Sequence, residues 1–299
     1  MNEELLLEYE RNRLSKLTII SSVNEYIDYV CKNRQNNDNA ELWYRGHRKA
    51  EWDLNASVYR DKERFSAAKE PGEIERLCYD KFPIFEKAFD SFYEKMKDAV
   101  PSNWNKFHYL FLAQHYSLRT PALDWSTDPL VALFFALDGF EEKDSPVVYI
   151  LNPSLCNANS MIVNEDGTSI TEPICVDTIN NADIKFDKWL GDLNNTPFTP
   201  IPLAVKSDYD ISYRVARQSG VFTLMDSRYP LNYKWYSTTV DEKPLATVIH
   251  INYESVPAIK AQLEALNITH ETIYGKAHKE WDELCKNIMA QTPKLDLSK

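Results

Sequence analysis

The sequence predicts an α+β fold, a mixed or antiparallel central sheet flanked by helices and built as one domain. Apolar, β-prone runs such as "LWY" at 42–44, "PVVYIL" at 146–151 and "LATVIHINY" at 245–253 are separated by amphipathic helical stretches rather than alternating with them regularly. With 43% hydrophobic and 12% aromatic residues over 299 positions, the chain can bury a large core. Cysteine usage points away from a disulfide framework or a zinc ribbon: Cys31, Cys78, Cys156, Cys175 and Cys285 are odd in number, scattered and contain no C-x-x-C pair.

Taken in order, residues 3–16 are helical by period, and Ser21 or Ser22 can cap a second helix, "VNEYIDYVCKNR", with Val23, Tyr26, Ile27 and Val30 on one face. Residues 1–40 are therefore expected to form an N-terminal helical segment ahead of a domain at 41–299. A strand over Leu42, Trp43 and Tyr44 is expected to end at Arg45, because Gly46 is a poor residue for continuing it. "EWDLNASVYR" reads as a second short extended piece. Residues 71–96 form a long amphipathic stretch in which Pro83 imposes a kink or a division into two helices.

"NWNKFHYLFLAQHYSL" reads as a largely buried helix ending at His115 and Tyr116. "TPALDWSTDP" is a loop, and "PLVALFFAL" is a helix with proline at its first position, capped by Thr127 or Asp128. Residues 152–200 read as an irregular insertion. "SVPAIKAQLEAL" and a last segment from about 276 to 289 are helical.

The 34 basic and 45 acidic residues leave a formal net charge of -11, which opposes sequence-independent attraction to nucleic acid or anionic lipid. No apolar run approaches the roughly 20 residues needed to span a bilayer, so no membrane association is expected and the chain reads as cytoplasmic. No metal-ligand spacing stands out, and no metal is expected.

Three segments concentrate chemistry. In the first, Tyr44, Arg45 and Gly46 place a guanidinium at a strand terminus, where it is either paired with a neighbouring carboxylate or open to an anion. In the second, "QHYSLRTPALDWSTDPLVALFFA" at 114–136, His115, Tyr116, Asp124, Trp125, Ser126 and Thr127 gather near a helix entry whose backbone N–H groups favour an anion. Taken singly these are cap, turn and core residues. In the third, "YRVARQSGVFTLMD", Gln218 precedes Ser219 and Gly220, and reads either as a ligand-reading amide or as part of a tight turn between strands, with Arg214 upstream.

These segments, in this order, resemble the FRG domain, a bacterial family named for its aromatic-Arg-Gly motif. The resemblance uses "LWYRGH", then Trp52, Leu54, Ser57 and Arg60, then 114–136, then "R-x-x-x-Q-x-G-x-F-T" from Arg214 to Thr223. Ser117 stands where the family usually has glycine, Arg119 where it has proline, and Pro121 where it has arginine. The contact of that arginine is either taken over by Arg119 or lost.

A weaker similarity is to ADP-ribosyltransferases, which implies an ADP-ribosyltransferase-like fold with NAD as substrate. It would make Arg45 the residue holding the dinucleotide, Ser126 and Thr127 the supporting hydroxyls, and Gln218 the occupant of the late glutamate position. His115 and Asp124 are candidates for proton or charge work, because cleaving the nicotinamide bond builds an oxocarbenium-like centre that Gln218, being neutral, does not stabilise by charge. Tyr44, Gly46, Tyr116, Trp125 and Arg214 complete the expected binding set.

The resemblance thus implies ADP-ribosyl transfer or NAD cleavage, in the setting of a bacterial defence or toxin effector. The alternatives are a non-catalytic nucleotide-sensing or protein-interaction module, and a defence protein acting on nucleic acid, for which the charge offers no strong signal.

Overall fold

The computed structural model describes residues 17–52, 54–60, 82–159, 168, 170–178, 203–208, 211–224, 239–240, 243–275 and 279–293. The expected helix at 3–16 and the first part of the 71–96 stretch lie outside these residues. Ten strands are described: β1 (Thr18–Ile20), β2 (Trp43–His47), β3 (Ala122–Ser126), β4 (Val147–Leu151), β5 (Ile174–Cys175), β6 (Leu203–Lys206), β7 (Gly220–Leu224), β8 (Thr239–Val240), β9 (Lys243–Pro244) and β10 (Ala246–Ile251). The helices among the described residues are α1 (Val23–Asn36), α2 (Phe82–Met96), α3 (Lys106–His115), α4 (Pro129–Leu137), α5 (Pro153–Asn159), α6 (Tyr213–Arg217), α7 (Val256–Ala265), α8 (His270–Tyr274) and α9 (Lys279–Ala290).

Eight strands form one open mixed sheet in the order β1-β10-β4-β2-β3-β7-β6-β5, with β8 and β9 paired separately. The two outermost pairs, β1 with β10 and β5 with β6, are parallel, and the interior pairs are antiparallel. The stretch expected to be purely helical before residue 40 therefore also contributes an edge strand, and α1 packs its Val23, Tyr26 and Val30 into the core beside α4 and α7.

Period-two alternation sorts β2 between the two faces of the sheet. Trp43 and the β4 residues Tyr149 and Leu151 join the core that holds α2 and α3, while Tyr44, Val148 and Ile150 join the core under α1, α4 and α7. The largely apolar α3 is buried over most of its length, and its Phe111 stacks on Phe222 of β7 with ring centroids 3.9 Å apart.

Several local expectations are corrected. Strand β2 does not stop at Arg45 but runs on to His47, paired with β4 from Trp43 to His47. Gly46 is tolerated because it meets a helix: a Cβ there would lie 3.0 Å from Ala136 Cα, and closer still to Ala132 O and Ala136 N of α4. The piece expected to be extended over 51–60 instead makes a single 3-10 turn at Ser57–Tyr59. Pro83 sits in the first turn of α2, where its missing N–H costs nothing. Gly220 does not supply a left-handed turn between strands. That conformation falls on Ser219 (φ 47°), in a connection from α6 to β7, and a Cβ at Gly220 would lie 2.9 Å from Val215 Cγ1. The cap of α4 is Asp128, whose Oδ1 accepts from Leu130 N at 2.8 Å.

No helix among the described residues is long and apolar enough to cross a membrane.

Candidate functional site

Strands β2 and β3 meet through one registered pair, Tyr44 with Ser126, whereas β2 pairs with β4 over five residues. Where β2 and β3 part, side chains take over from the backbone ladder. The Arg45 Nη1 donates to the carbonyl of Asp124 at 2.5 Å and lies 3.8 Å from Asp124 Oδ2. Satisfying a backbone carbonyl that has no strand partner is what an adjacent guanidinium does well.

The other side of the guanidinium is fixed by His47, two residues along and on the same face. Arg45 Nε donates to His47 Nε2 at 2.9 Å, so the imidazole proton is on Nδ1, which faces the Trp52 carbonyl at 3.3 Å. Burial, reinforced by the charges of Arg45 and Arg60, pushes His47 down to about 2. The ring is therefore a neutral prop that orients Arg45.

Asp124 is held from α3: Gln114 Nε2 donates to Asp124 Oδ1 at 2.5 Å, and the Thr120 hydroxyl donates to Gln114 Oε1. Thr120 is in turn pinned by Ser57, whose Oγ accepts from Thr120 N at 2.9 Å. The Arg60 Nε donates to the Asn55 carbonyl at 2.9 Å. Asn55 itself is 5% exposed, and its Oδ1 has no partner.

The electrostatics are unbalanced in favour of positive charge. Burial lowers Arg45 to about 10, Asp124 offsets part of this, and Arg60 adds to it. Loss of solvent around its guanidinium likewise lowers Arg60, with Asp124 opposing and Arg119 adding. Arg45 and Arg60 thus sense one carboxylate, with Arg119 adding positive charge beside Arg60, and that carboxylate is 57% exposed, against 16% for Arg45. Nη2 of Arg45 has no hydrogen-bond partner among the described residues, which leaves a direction open to a planar or tetrahedral anion.

The expected site residues separate into groups. Arg45 and Asp124 come together. Tyr44 and Gly46 lie on the opposite face of the sheet, in the packing against α4. Trp125 is buried, donating from Nε1 to Thr223 Oγ1 at 3.0 Å. Ser126 Oγ donates to the Gln218 carbonyl at 2.7 Å, and Thr127 N donates to the Ser219 carbonyl at 3.0 Å, so this hydroxyl element ties β3 to the end of α6. The Gln218 side chain turns to the Ile273 carbonyl at 3.5 Å.

His115 and Tyr116 stand at the end of α3 beside α6 and α9. The Tyr116 hydroxyl donates to Asp282 at 2.6 Å, and Arg214 lies over the Tyr274 ring at 4.8 Å. Burial and then Arg214 push His115 down to about 4, against Asp282.

Sequence reasoning did not single out His47, Gln114 or Thr120. The spacing of His47 from Arg45 was a usable signal once β2 was known to continue, because residues two apart on a strand share a face. Nothing local links Gln114 to Asp124.

The thiol of Cys175 and the carboxylates of Asp177 and Asp208 also converge. The oxygens of Asp177, however, accept from His108 Nε2 at 2.5 Å, Ser207 Oγ at 2.9 Å, Asp208 N at 2.5 Å and Cys175 Sγ at 3.3 Å. Its donors come from the protein, and it acts as a structural knot between α3 and the strands beyond β7.

Residues 40–145 match the family model described as the FRG domain. The chain carries an FRG domain. The matched segment contains Arg45, His47, Gln114, Thr120 and Asp124, whereas Arg214 and Gln218 fall after it. No curated protein and no solved structure matches the chain.

Proposed function

We propose that the FRG domain binds a phosphate-bearing nucleotide, with the phosphate on Arg45 and with NAD as the ligand class to test first. The observation carrying this reading is the charge imbalance at the β2–β3 junction: Arg45 and Arg60 both act on a single, more than half-exposed Asp124, and Arg119 adds a further positive charge beside Arg60. A guanidinium already oriented by His47 and the Asp124 carbonyl loses little freedom on accepting an anion, which favours binding.

A second reading, NAD cleavage or ADP-ribosyl transfer on an ADP-ribosyltransferase-like fold, is favoured by Asp124 itself. In that chemistry the C1′–N bond breaks, nicotinamide leaves with the electron pair, and the oxocarbenium-like ribosyl centre is captured by water or an acceptor hydroxyl that then gives up its proton. Asp124, oriented by Gln114, is the carboxylate placed beside the phosphate-binding cation and could stabilise that centre. Gln218, neutral and turned towards Ile273, favours binding without turnover.

Calorimetric titration with NAD and ADP-ribose, together with an assay of nicotinamide release, tests both readings in wild type, Arg45→Gln and Asp124→Asn. Binding that weakens at least about tenfold in Arg45→Gln supports the first reading. Release that disappears in Asp124→Asn while binding persists supports the second. Absence of binding by a folded wild-type protein refutes both.

A further inference from the structure

We infer that Arg214 is a second phosphate-binding residue, separate from Arg45, with its guanidinium laid on the Tyr274 ring. This does not depend on the Arg45 reading. The short helix α6 carries two arginines with opposite situations. Arg217 is committed to the fold: its Nη1 donates to the Glu271 carbonyl at 3.4 Å and the Thr272 carbonyl at 3.0 Å, and its Nη2 to the Tyr213 hydroxyl. Arg214 has a buried Nε with no hydrogen-bond partner and no ion pair among the described residues. Its one described contact of this kind is the aromatic face 4.8 Å away.

The surroundings hold this geometry without neutralising it. The Tyr274 hydroxyl donates to Asp138 Oδ2 at 2.7 Å, and the ring edge is packed by Phe135 with centroids 5.9 Å apart, so the floor under Arg214 is fixed. Asp282 receives the Tyr116 hydroxyl. The imidazole of His115, kept neutral, brings no competing charge and offers one donor and one acceptor.

Leaving a buried N–H of a charged group without a partner forfeits its hydration, and stacking on an aromatic ring returns only part of that loss. The orphaned Nε–H is explained if a phosphate oxygen completes it, with a neighbouring Nη–H taking a second oxygen in the bidentate arrangement that guanidinium favours. The same chemistry suits inorganic phosphate and the phosphate of a nucleotide.

The test is arginine Nε–Hε correlation NMR on the full chain, with the Arg214 signal assigned by its loss in Arg214→Lys. Inorganic phosphate and ADP-ribose are titrated against a sodium chloride control of matched ionic strength, in wild type and in Arg45→Gln. The expected result is a saturable shift of the Arg214 signal with phosphate and none with chloride, retained in Arg45→Gln. Half-saturation at least about tenfold lower with ADP-ribose identifies a nucleotide as the source, and equal values identify phosphate alone. An Arg214 signal that both ligands leave unmoved in the folded protein overturns the inference, as does a shift that vanishes in Arg45→Gln. Failure of NAD binding at Arg45 with a persistent phosphate shift at Arg214 refutes the nucleotide reading and leaves this one standing.

Discussion

The glycine of the aromatic-Arg-Gly motif is assigned here to packing, and Gly46→Ala measures that assignment. The new methyl carbon would lie 3.0 Å from Ala136 Cα, where two carbons rest at about 3.5–4.0 Å, and it would meet Ala132 O and Ala136 N still earlier. Because the obstacles are backbone atoms, no rotamer change relieves them, and α4 must lift from β2 by roughly 0.5–1 Å. A gap of that size forfeits about a quarter to a half of the dispersion well for each contact across it, and Tyr44, Val148, Ile150 and Leu133 share that layer. Overpacking costs about 1–3 kcal/mol in general, and the backbone obstruction puts this site at about 3 kcal/mol, a large part of a typical total of about 5–15 kcal/mol. In urea, at a slope near 3 kcal/mol/M, the unfolding midpoint should fall by about 1 M. Ala132→Gly should not restore it, since the clash is with the carbonyl rather than the methyl group. An unchanged midpoint in Gly46→Ala, or rescue by Ala132→Gly, would refute the packing account, and an unchanged midpoint with lost ligand binding would return Gly46 to the binding site.

Ser117 adopts φ 73°, the left-handed region, at the position where the resembling family usually has glycine; Ser117→Gly should raise stability by about 0.5–1 kcal/mol in the same denaturation assay. Trp125→Phe removes the indole donor to Thr223, whose side chain is fully buried, and should cost about 1–3 kcal/mol with little change in nucleotide affinity. His47, pushed down to about 2 by burial and then by Arg45 and Arg60, should show no imidazole titration by NMR between about pH 8 and 5; a midpoint near 6.5 would refute its role as a neutral prop. The sign of the stability effect follows from linkage. The unfolded state takes up the His47 proton below about 6.5 while the folded state does not, so this stabilisation is complete above that pH and declines as pH falls. The unfolding free-energy difference between wild type and His47→Gln should accordingly shift against wild type from about pH 7 to 5.

Elements whose determinants are local were legible from sequence. Pro129 at the first helical position after a capping aspartate defines the start of α4, Ser22 caps α1 through Glu25 N, and the apolar run of β4 is buried along its whole length. The end of β2 was misplaced because glycine's low strand propensity was weighed without the helix that lies on it, and only the packed fold reveals that approach. The edge strand β1 is three residues long and depends on β10 for its pairing, a partner more than 200 positions away, so its own sequence carries little signal. Within the site, Arg45 and Asp124 were both recognisable as chemistry-bearing residues. Their connection through Gln114, Thr120 and Ser57 was not, because it joins three separate segments by side-chain hydrogen bonds rather than by a sequence period.

That connection bears on what the motif arginine is for. A purely structural guanidinium at a strand junction would be well served by the Asp124 carbonyl and a buried carboxylate, and it would need no further cations nearby. Arg45 instead faces a carboxylate more than half exposed, shares it with Arg60, which Arg119 in turn crowds, and leans on a histidine held neutral. Crowding positive charge in this way opposes folding, since burial and the neighbouring Arg60 both disfavour the charged form of Arg45. An anion bound between them reverses the sign of those interactions. On the proposed reading, the same residue ties β3 to β2 in the free protein through its Nη1 bond and would hold a phosphate through its Nη2 edge.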